Sequence, residues 1–359
     1  MQLHRHTSTA ADPRERGLDI GRSWDAQSRR TAKLYKDFFA TLGMEAGAVR
    51  SIAERSHEAL RAWSPALAEE AEGWADGAGL ELWELAVVAA RTEILAAVPR
   101  KVSRHECSTA VYAPAGAAAP QTMQTWDWHD DLTPEGLLLE LSPAPGRITK
   151  TFTEFGTAAK IGVNSSGLGL HFNILSHGSD NDSAGVPVHA IARRILDEAS
   201  TIDEAIAIAS SATVSASTVY TVFTAADTAR RAVSIEVSPA GTAVVDAAED
   251  GWLLHTNHFL DPELAKHDGI DAEALSSERM AHLGQVSPEL AGLGVRERAG
   301  RFCGTAGNSA VVCFHPDAAV PLHEQWRTLL TISVDTADCT LEYAAGNPAE
   351  AARTGFSTF

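Results

Sequence analysis

The sequence is poor in cysteine, in basic residues and in long apolar runs, and each shortage removes a class of function. Four cysteines in 359 residues, Cys107, Cys303, Cys313 and Cys339, with no Cys-x-x-Cys spacing, suit neither a disulfide framework nor a structural zinc site. Lys and Arg number 29 against 47 Asp and Glu, giving a formal net charge of -18 and a pI near 5.2. Nucleic acid or an anionic membrane would need a basic footprint, so neither is an expected partner. No stretch is apolar for long enough to cross a bilayer, and the opening MQLHRHTSTAADPRER lacks the apolar centre of an export signal. Arg29-Arg30 precedes a charge-bearing helical pattern, so it does not open a twin-arginine signal. These shortages predict a cytoplasmic globular protein, and 45% hydrophobic residues suffice for a well-packed core.

What is present changes character near residue 107. Residues 1 to about 16 are polar and patternless and predict a disordered lead-in. Apolar residues then recur at helical spacing over 28–42, 46–63, 65–75 and 81–97, the last three bounded by Ser64-Pro65, Asp76-Gly77-Ala78-Gly79 and Pro99. After Cys107 the period falls from 3.6 to 2, predicting strands over 109–113, 121–128, 136–141, 148–155, 160–163 and 168–175. Helices follow over 188–198 and 203–210, the second with a capping start at Thr201 and Glu204. Strands return over 218–224, 232–237, 241–246 and 252–258, then a helix over about 272–283, then strands over 310–314, 328–334 and 339–343. The pattern is α+β: antiparallel sheets with helices outside them, behind a helical first third.

The chemistry-bearing residues gather at that switch. A hairpin turning within 114–120 sets Cys107 opposite roughly Trp128, and so close to Asp127. A carboxylate beside a desolvated thiol raises the thiol's pKa, so another group must take its proton. If the Glu106–Cys107 bond is cut, the new α-amino group of Cys107, ordinarily titrating at roughly 7.7 to 8.0, is suited to that work. Nucleophile and base would then belong to one residue.

Several segments carry a resemblance in the same order along the chain. They are 67–79 with Ala90-Arg91-Thr92-Glu93, Cys107-Ser108-Thr109-Ala110, Gln124-Thr125-Trp126-Asp127, 162–168 and His255-Thr256-Asn257-His258-Phe259. The chain resembles the acyl-coenzyme A:6-aminopenicillanic acid acyltransferase family, peptidase family C45 of the N-terminal-nucleophile (Ntn) hydrolases. That resemblance implies a four-layer αββα sandwich and a proenzyme cut before the cysteine, leaving a helical piece, 1–106, paired with a core, 107–359. It implies Cys107 as nucleophile, Asp127 as the aspartate that positions it and Asn257 as an amide donor to the oxyanion, with Arg327 matching an arginine near the site. The substrate implied is a small amide or thioester, with no cofactor. Two residues depart from the family's penicillin enzyme: Glu106 replaces a glycine before the nucleophile, and Thr125 replaces an asparagine beside Trp126.

Thr125, Trp126, Trp128, His255 and Arg327 are the candidate lining of a substrate pocket. Three other readings stay open: cysteine–histidine catalysis on an uncut chain with His255 or His105 as base, a catalytically silent ligand-binding relative, and plain sheet packing for the tryptophans. A metal site is not expected, because strand alternation turns His255 and His258 to opposite faces.

Overall fold

The polar opening of the chain is ordered, not a loose lead-in. In the computed structural model, residues 1–98, 107–116, 119–226, 231–270 and 275–359 are described, so Glu106, His105 and the proposed cut lie outside the described residues. Strand β1 (Gln2–Ser8) leads into helix α1 (Pro13–Ser23), whose start is fixed by the Asp12 side chain accepting from Glu15 N and by Pro13 in the first turn. Helices α2 (Asp25–Thr41), α3 (Ala46–Trp63), α4 (Pro65–Ala78), α5 (Leu82–Ala89) and α6 (Arg91–Ala96) follow. The single helix expected over 81–97 is thus two, broken at Ala90 (φ -102°, ψ 24°), and the bend turns Arg91 and Glu93 into the protein interior.

Two glycine pairs hold α1 against α4. Gly17 and Gly21 on α1 face Gly73 and Gly77 on α4, and each lies where a side chain would strike the other helix's backbone. A Cβ on Gly17 would come within 2.0 Å of Glu70 O, one on Gly21 within 2.3 Å of Trp74 O, and one on Gly73 within 2.2 Å of Arg14 O. Such a contact leaves no apolar periodicity to read, because it is built from missing side chains. A buried ionic chain fastens the same crossing: Glu70 accepts from Arg16 Nε at 2.5 Å and Arg193 Nη1 at 2.7 Å, and Arg193 Nε reaches Asp197 at 2.8 Å.

From Cys107 onward come β2 (Ser108–Tyr112), β3 (Gln121–Trp128), β4 (Glu135–Leu141), β5 (Thr149–Thr153), β6 (Ile161–Asn164) and β7 (Leu168–Ile174). Next are α7 (Val188–Glu198), α8 (Ile202–Ser210) with the expected Thr201–Glu204 capping box, β8 (Thr218–Thr224), β9 (Ala232–Ser238), β10 (Gly241–Asp246) and β11 (Trp252–His255). The chain closes with α9 (Ser276–Val286), α10 (Val295–Phe302), β12 (Arg327–Asp335), β13 (Thr340–Ala345), α11 (Pro348–Thr354) and β14 (Ser357–Thr358). One expected strand fails: residues 310–314 form a buried turn, closed by Cys313 N on Ala310 O at 2.8 Å, whose Val312 packs among helices. Another is cut short at His255, where Asn257 N leaves the sheet to donate to Ser276 Oγ.

An eight-stranded sheet runs β1-β4-β5-β6-β7-β8-β9-β10, antiparallel except for the parallel pair β1–β4, and a six-stranded antiparallel sheet runs β11-β2-β3-β12-β13-β14. Their inner faces meet through Leu138, Phe152, Ile161 and Phe223 on one side and Val111, Trp126, Leu330 and Ile332 on the other. Helices α7 and α8, with α1 and α4 alongside, cover the outer face of the larger sheet, and α9 and α10 cover that of the smaller. This is the α+β, four-layer αββα order. Helices α2, α3, α5 and α6 do something else: Tyr35, Phe39, Ile52, Val87 and Ile94 join the inter-sheet core beside Cys107, Trp126 and Trp128.

The crossing makes a checkable contrast. Gly73→Ala should cost about 1–3 kcal/mol, because the clash is with backbone, and should release α1 to proteolysis. Gly47→Ala, in α3 with open space around it, should cost nothing. Urea denaturation and limited proteolysis of both variants read the difference.

Candidate active site around Cys107

Cys107 sits immediately before β2, between the two sheets and 5% exposed. The β2–β3 pairing sets Ser108 against Thr125, so the same register puts Cys107 opposite Trp126 and beside Asp127. Its Sγ lies 4.0 Å from the Asp127 carbonyl oxygen. The carbonyl of Cys107 itself is held from two directions: Asn173 Nδ2 on β7 donates to it at 3.0 Å, and Arg279 Nη1 on α9 at 2.7 Å. Asn173 is oriented in turn, since its Oδ1 accepts from Thr109 Oγ1 at 2.7 Å and Gln124 Nε2 at 3.0 Å. Ser108 N donates to Thr125 Oγ1 at 3.1 Å, which fixes the next peptide as well.

Asp127 is held by a bulge. The β3–β12 register slips between Thr328 and Leu330, so Thr328 stands directly across from Asp127. Thr125 Oγ1 lies 3.4 Å from Oδ2. Burial pushes the Asp127 carboxyl up to about 7, against the pull of Thr328, Arg279 and Thr125. Burial, and then the Asp127 charge, push the Cys107 thiol up to about 12, with Arg279 and Lys160 opposing. Both effects favour the protonated thiol, so an attack from Sγ needs a group to take its proton.

The remaining sequence candidates divide. Asn257 is fully buried and oriented: its Nδ2 donates to Ile174 O at 2.8 Å and its Oδ1 accepts from Arg279 Nη2 at 3.0 Å. Arg279 thus bridges Asn257 and Cys107. Trp126 and Trp128 point into the inter-sheet core. His255 is turned away toward the larger sheet, with Nε2 2.9 Å from Glu236 Oε1 and Nδ1 3.0 Å from Thr256 O. Arg327 is not brought to Cys107: it lies half-exposed at the start of β12, 3.4 Å from Asp130. Arg279 and Asn173 were missed as site residues. A lone arginine on a helix reads as solvated surface, and an asparagine in a hairpin strand reads as structural. Only knowledge of what α9 packs on separates the two cases.

Behind the tryptophans lies a buried charge cluster. Arg91 stacks 4.0 Å from the Trp128 ring centroid and Lys160 Nζ stands 4.9 Å from that of Trp126. Both cations pair with Glu154, Arg91 Nη2 at 3.0 Å, and Tyr35 donates its hydroxyl to the same carboxylate. Burial alone would raise the Glu154 carboxyl, but Arg91 and Lys160 override it and hold it at about 2. Burial and Arg91 together lower the Lys160 ammonium to about 7.

A family model described as acyl-coenzyme A:6-aminopenicillanic acid acyl-transferase matches residues 119–350. The chain belongs to this family. It is 32% identical over 197 residues to the acyl-coenzyme A:6-aminopenicillanic-acid-acyltransferase 40 kDa form of Emericella nidulans, a match covering 55% of this chain. The match spans about half of that relative, 52% of its length. Among solved structures, the chain is similar to an N-acylethanolamine-hydrolyzing acid amidase ortholog from Caenorhabditis elegans, with TM-score 0.44 and 14% identity over 65% of this chain and 96% of that one. A conjugated bile acid hydrolase from Clostridium perfringens aligns with TM-score 0.45 and 10% identity over 70% and 92%. The residues matched to the acyltransferase family include Asp127, Asn257, Arg279 and Arg327 and begin beyond Cys107.

The cluster of this acyltransferase-family chain yields a pH test. The folded Glu154 carboxyl titrates below its usual 4.5, so its stabilisation is complete above that value and is lost as pH falls toward 2. Glu154→Gln should cost about 3 kcal/mol at pH 7, because it strands two buried cations. Urea midpoints should show the gap between variant and parent narrowing as pH drops from 5 to 3.

Proposed function

We propose that this protein is an Ntn amide hydrolase or acyltransferase with Cys107 as its nucleophile, maturing by cutting its own chain between Glu106 and Cys107. The observation that carries the reading is the held carbonyl of Cys107. Asn173 and Arg279 grip the side of the residue that a cut before it would leave intact. The nucleophile would therefore keep its place after its amino group was freed.

In maturation the Cys107 thiol attacks the Glu106 carbonyl carbon, the Glu106–Cys107 C–N bond breaks, and the thiol's proton passes to the Cys107 nitrogen, which leaves as an amine. Water then hydrolyses the resulting thioester to a Glu106 carboxylate and a free thiol. The freed amine supplies what the uncut site lacks. A thiol held near 12 needs a base, and His255 is committed to Glu236 and Thr256 O. The α-amino group takes the proton, the thiolate attacks a substrate acyl carbon, and the proton returns to the leaving amine. Asn257 Nδ2 carries a second hydrogen besides the one given to Ile174 O, and it serves the tetrahedral oxyanion. Water or a second amine then takes the acyl group from Cys107. Trp126, Trp128 and Thr125 border this space; Arg327 and His255 have no part in it. The substrate is a small amide or thioester, and the two pieces, 1–106 and 107–359, act as one heterodimer.

Intact-mass analysis should find those two pieces from the parent chain and a single piece from Cys107→Ala. An uncut chain that still hydrolyses a panel of small amides would instead favour a histidine base, and an uncut, inert chain the silent ligand-binding reading. In matured enzyme, Asn257→Ala should lower kcat roughly 100-fold, read by mass spectrometry of released amines.

A further inference from the structure

On the far face of the smaller sheet, two thiols stand almost in bonding range. Cys303, just past the end of α10, and Cys313, in the turn before β12, bring their sulfurs to 3.6 Å. They are 1% and 6% exposed and share an apolar environment with Leu283, Phe302 and Val312. A disulfide needs about 2.04 Å between sulfurs, so closing the pair is a small movement. The segment between them can supply it: Gly304 (φ 56°) and Gly307 (φ 54°) both occupy the left-handed region that leaves glycine its freedom. Cys339 does not compete, being only partly buried and packed against a different core.

The pair is also wired to Asp127. Phe314, next to Cys313, donates its N–H to Thr328 Oγ1 at 2.9 Å and accepts from Thr328 N at 3.2 Å. Thr328 is the cross-strand partner of Asp127 in the β3–β12 pairing, and the guanidinium of Arg279 lies 5.8 Å from the Phe314 ring centroid. A displacement of Cys313 is therefore handed to the residues that hold Asp127 and the Cys107 carbonyl.

We propose that Cys303 and Cys313 are a reversible dithiol–disulfide site for a hydroperoxide, and that its closure loosens the Phe314–Thr328 contact behind Asp127. In the first step the Cys313 sulfur attacks one peroxide oxygen, breaking the O–O bond to leave a sulfenic acid and an alcohol, or water when the oxidant is hydrogen peroxide. The Cys303 sulfur then displaces the hydroxyl from that sulfenic acid, its own proton joining the hydroxyl, giving the disulfide and a water. The two sulfurs are oxidised and the peroxide reduced. A small-molecule dithiol reverses the change by exchange.

The test uses the full chain with Cys107→Ala, which removes the competing thiol and reads nothing from catalysis. After hydrogen peroxide treatment and alkylation, peptide mapping should find 303 and 313 joined, lighter by two hydrogens, and separated again by dithiothreitol. Adding Cys313→Ser should abolish the joined peptide while Cys339 reacts as before. Hydrogen exchange of the oxidised chain should show protection lost at Phe314 and Thr328. Cys303 and Cys313 recovered as free thiols, or as separate sulfinic acids, would overturn the site, and unchanged exchange beside a formed disulfide would overturn the coupling.

Discussion

Everything near Cys107 depends on one oxygen, its own backbone carbonyl. It accepts from an asparagine on the larger sheet and from an arginine on a helix covering the smaller one, so a single acceptor ties three of the four layers together. The geometry is demanding because each donor is buried and shared. Asn173 also serves Thr109 and Gln124, and Arg279 also serves Asn257 and Ser108. A buried guanidinium has no water to fall back on, so its partners fix it as firmly as it fixes them.

The same logic explains the charge cluster under the tryptophans. Trp126 and Trp128 alternate inward with Gln124 along β3, and the indole faces they turn to the core are covered by cations instead of aliphatic groups. Glu154 neutralises only part of that charge. The region is therefore polar but dry, and it brings α2 and α6 of the first hundred residues against the strand that carries Asp127. The helical first third is a wall of the site as much as a neighbour of the core.

Much of this was legible before any coordinates. Apolar periodicity and turn residues placed β3, α3, α7, β8 and β10 with the boundaries they have. The hairpin register brought Asp127 to Cys107 within two residues. The failures are of another kind. Residues 310–314 alternate poorly but are apolar, two of them valines, and burial in a turn satisfies that composition as well as a strand does. Strand β1 is polar because it lies at a sheet edge, half-exposed along its length. Arg279 and Arg193 are invisible to periodicity, since a charge in a helix means solvent until its partners are known.

The parallel pairing of β1 with β4 bears on how the chain assembles as it is made. His4 and Glu135, which bond across the pair, are 131 residues apart, whereas Arg16 and Glu70, across the glycine crossing, are 54 apart. All residues of the crossing are synthesised before β4, so it can form while the edge of β1 is still unpaired. A crossing formed at that stage leaves a shorter loop to close when β1 pairs with β4, so the four glycines lower the entropy that pairing costs.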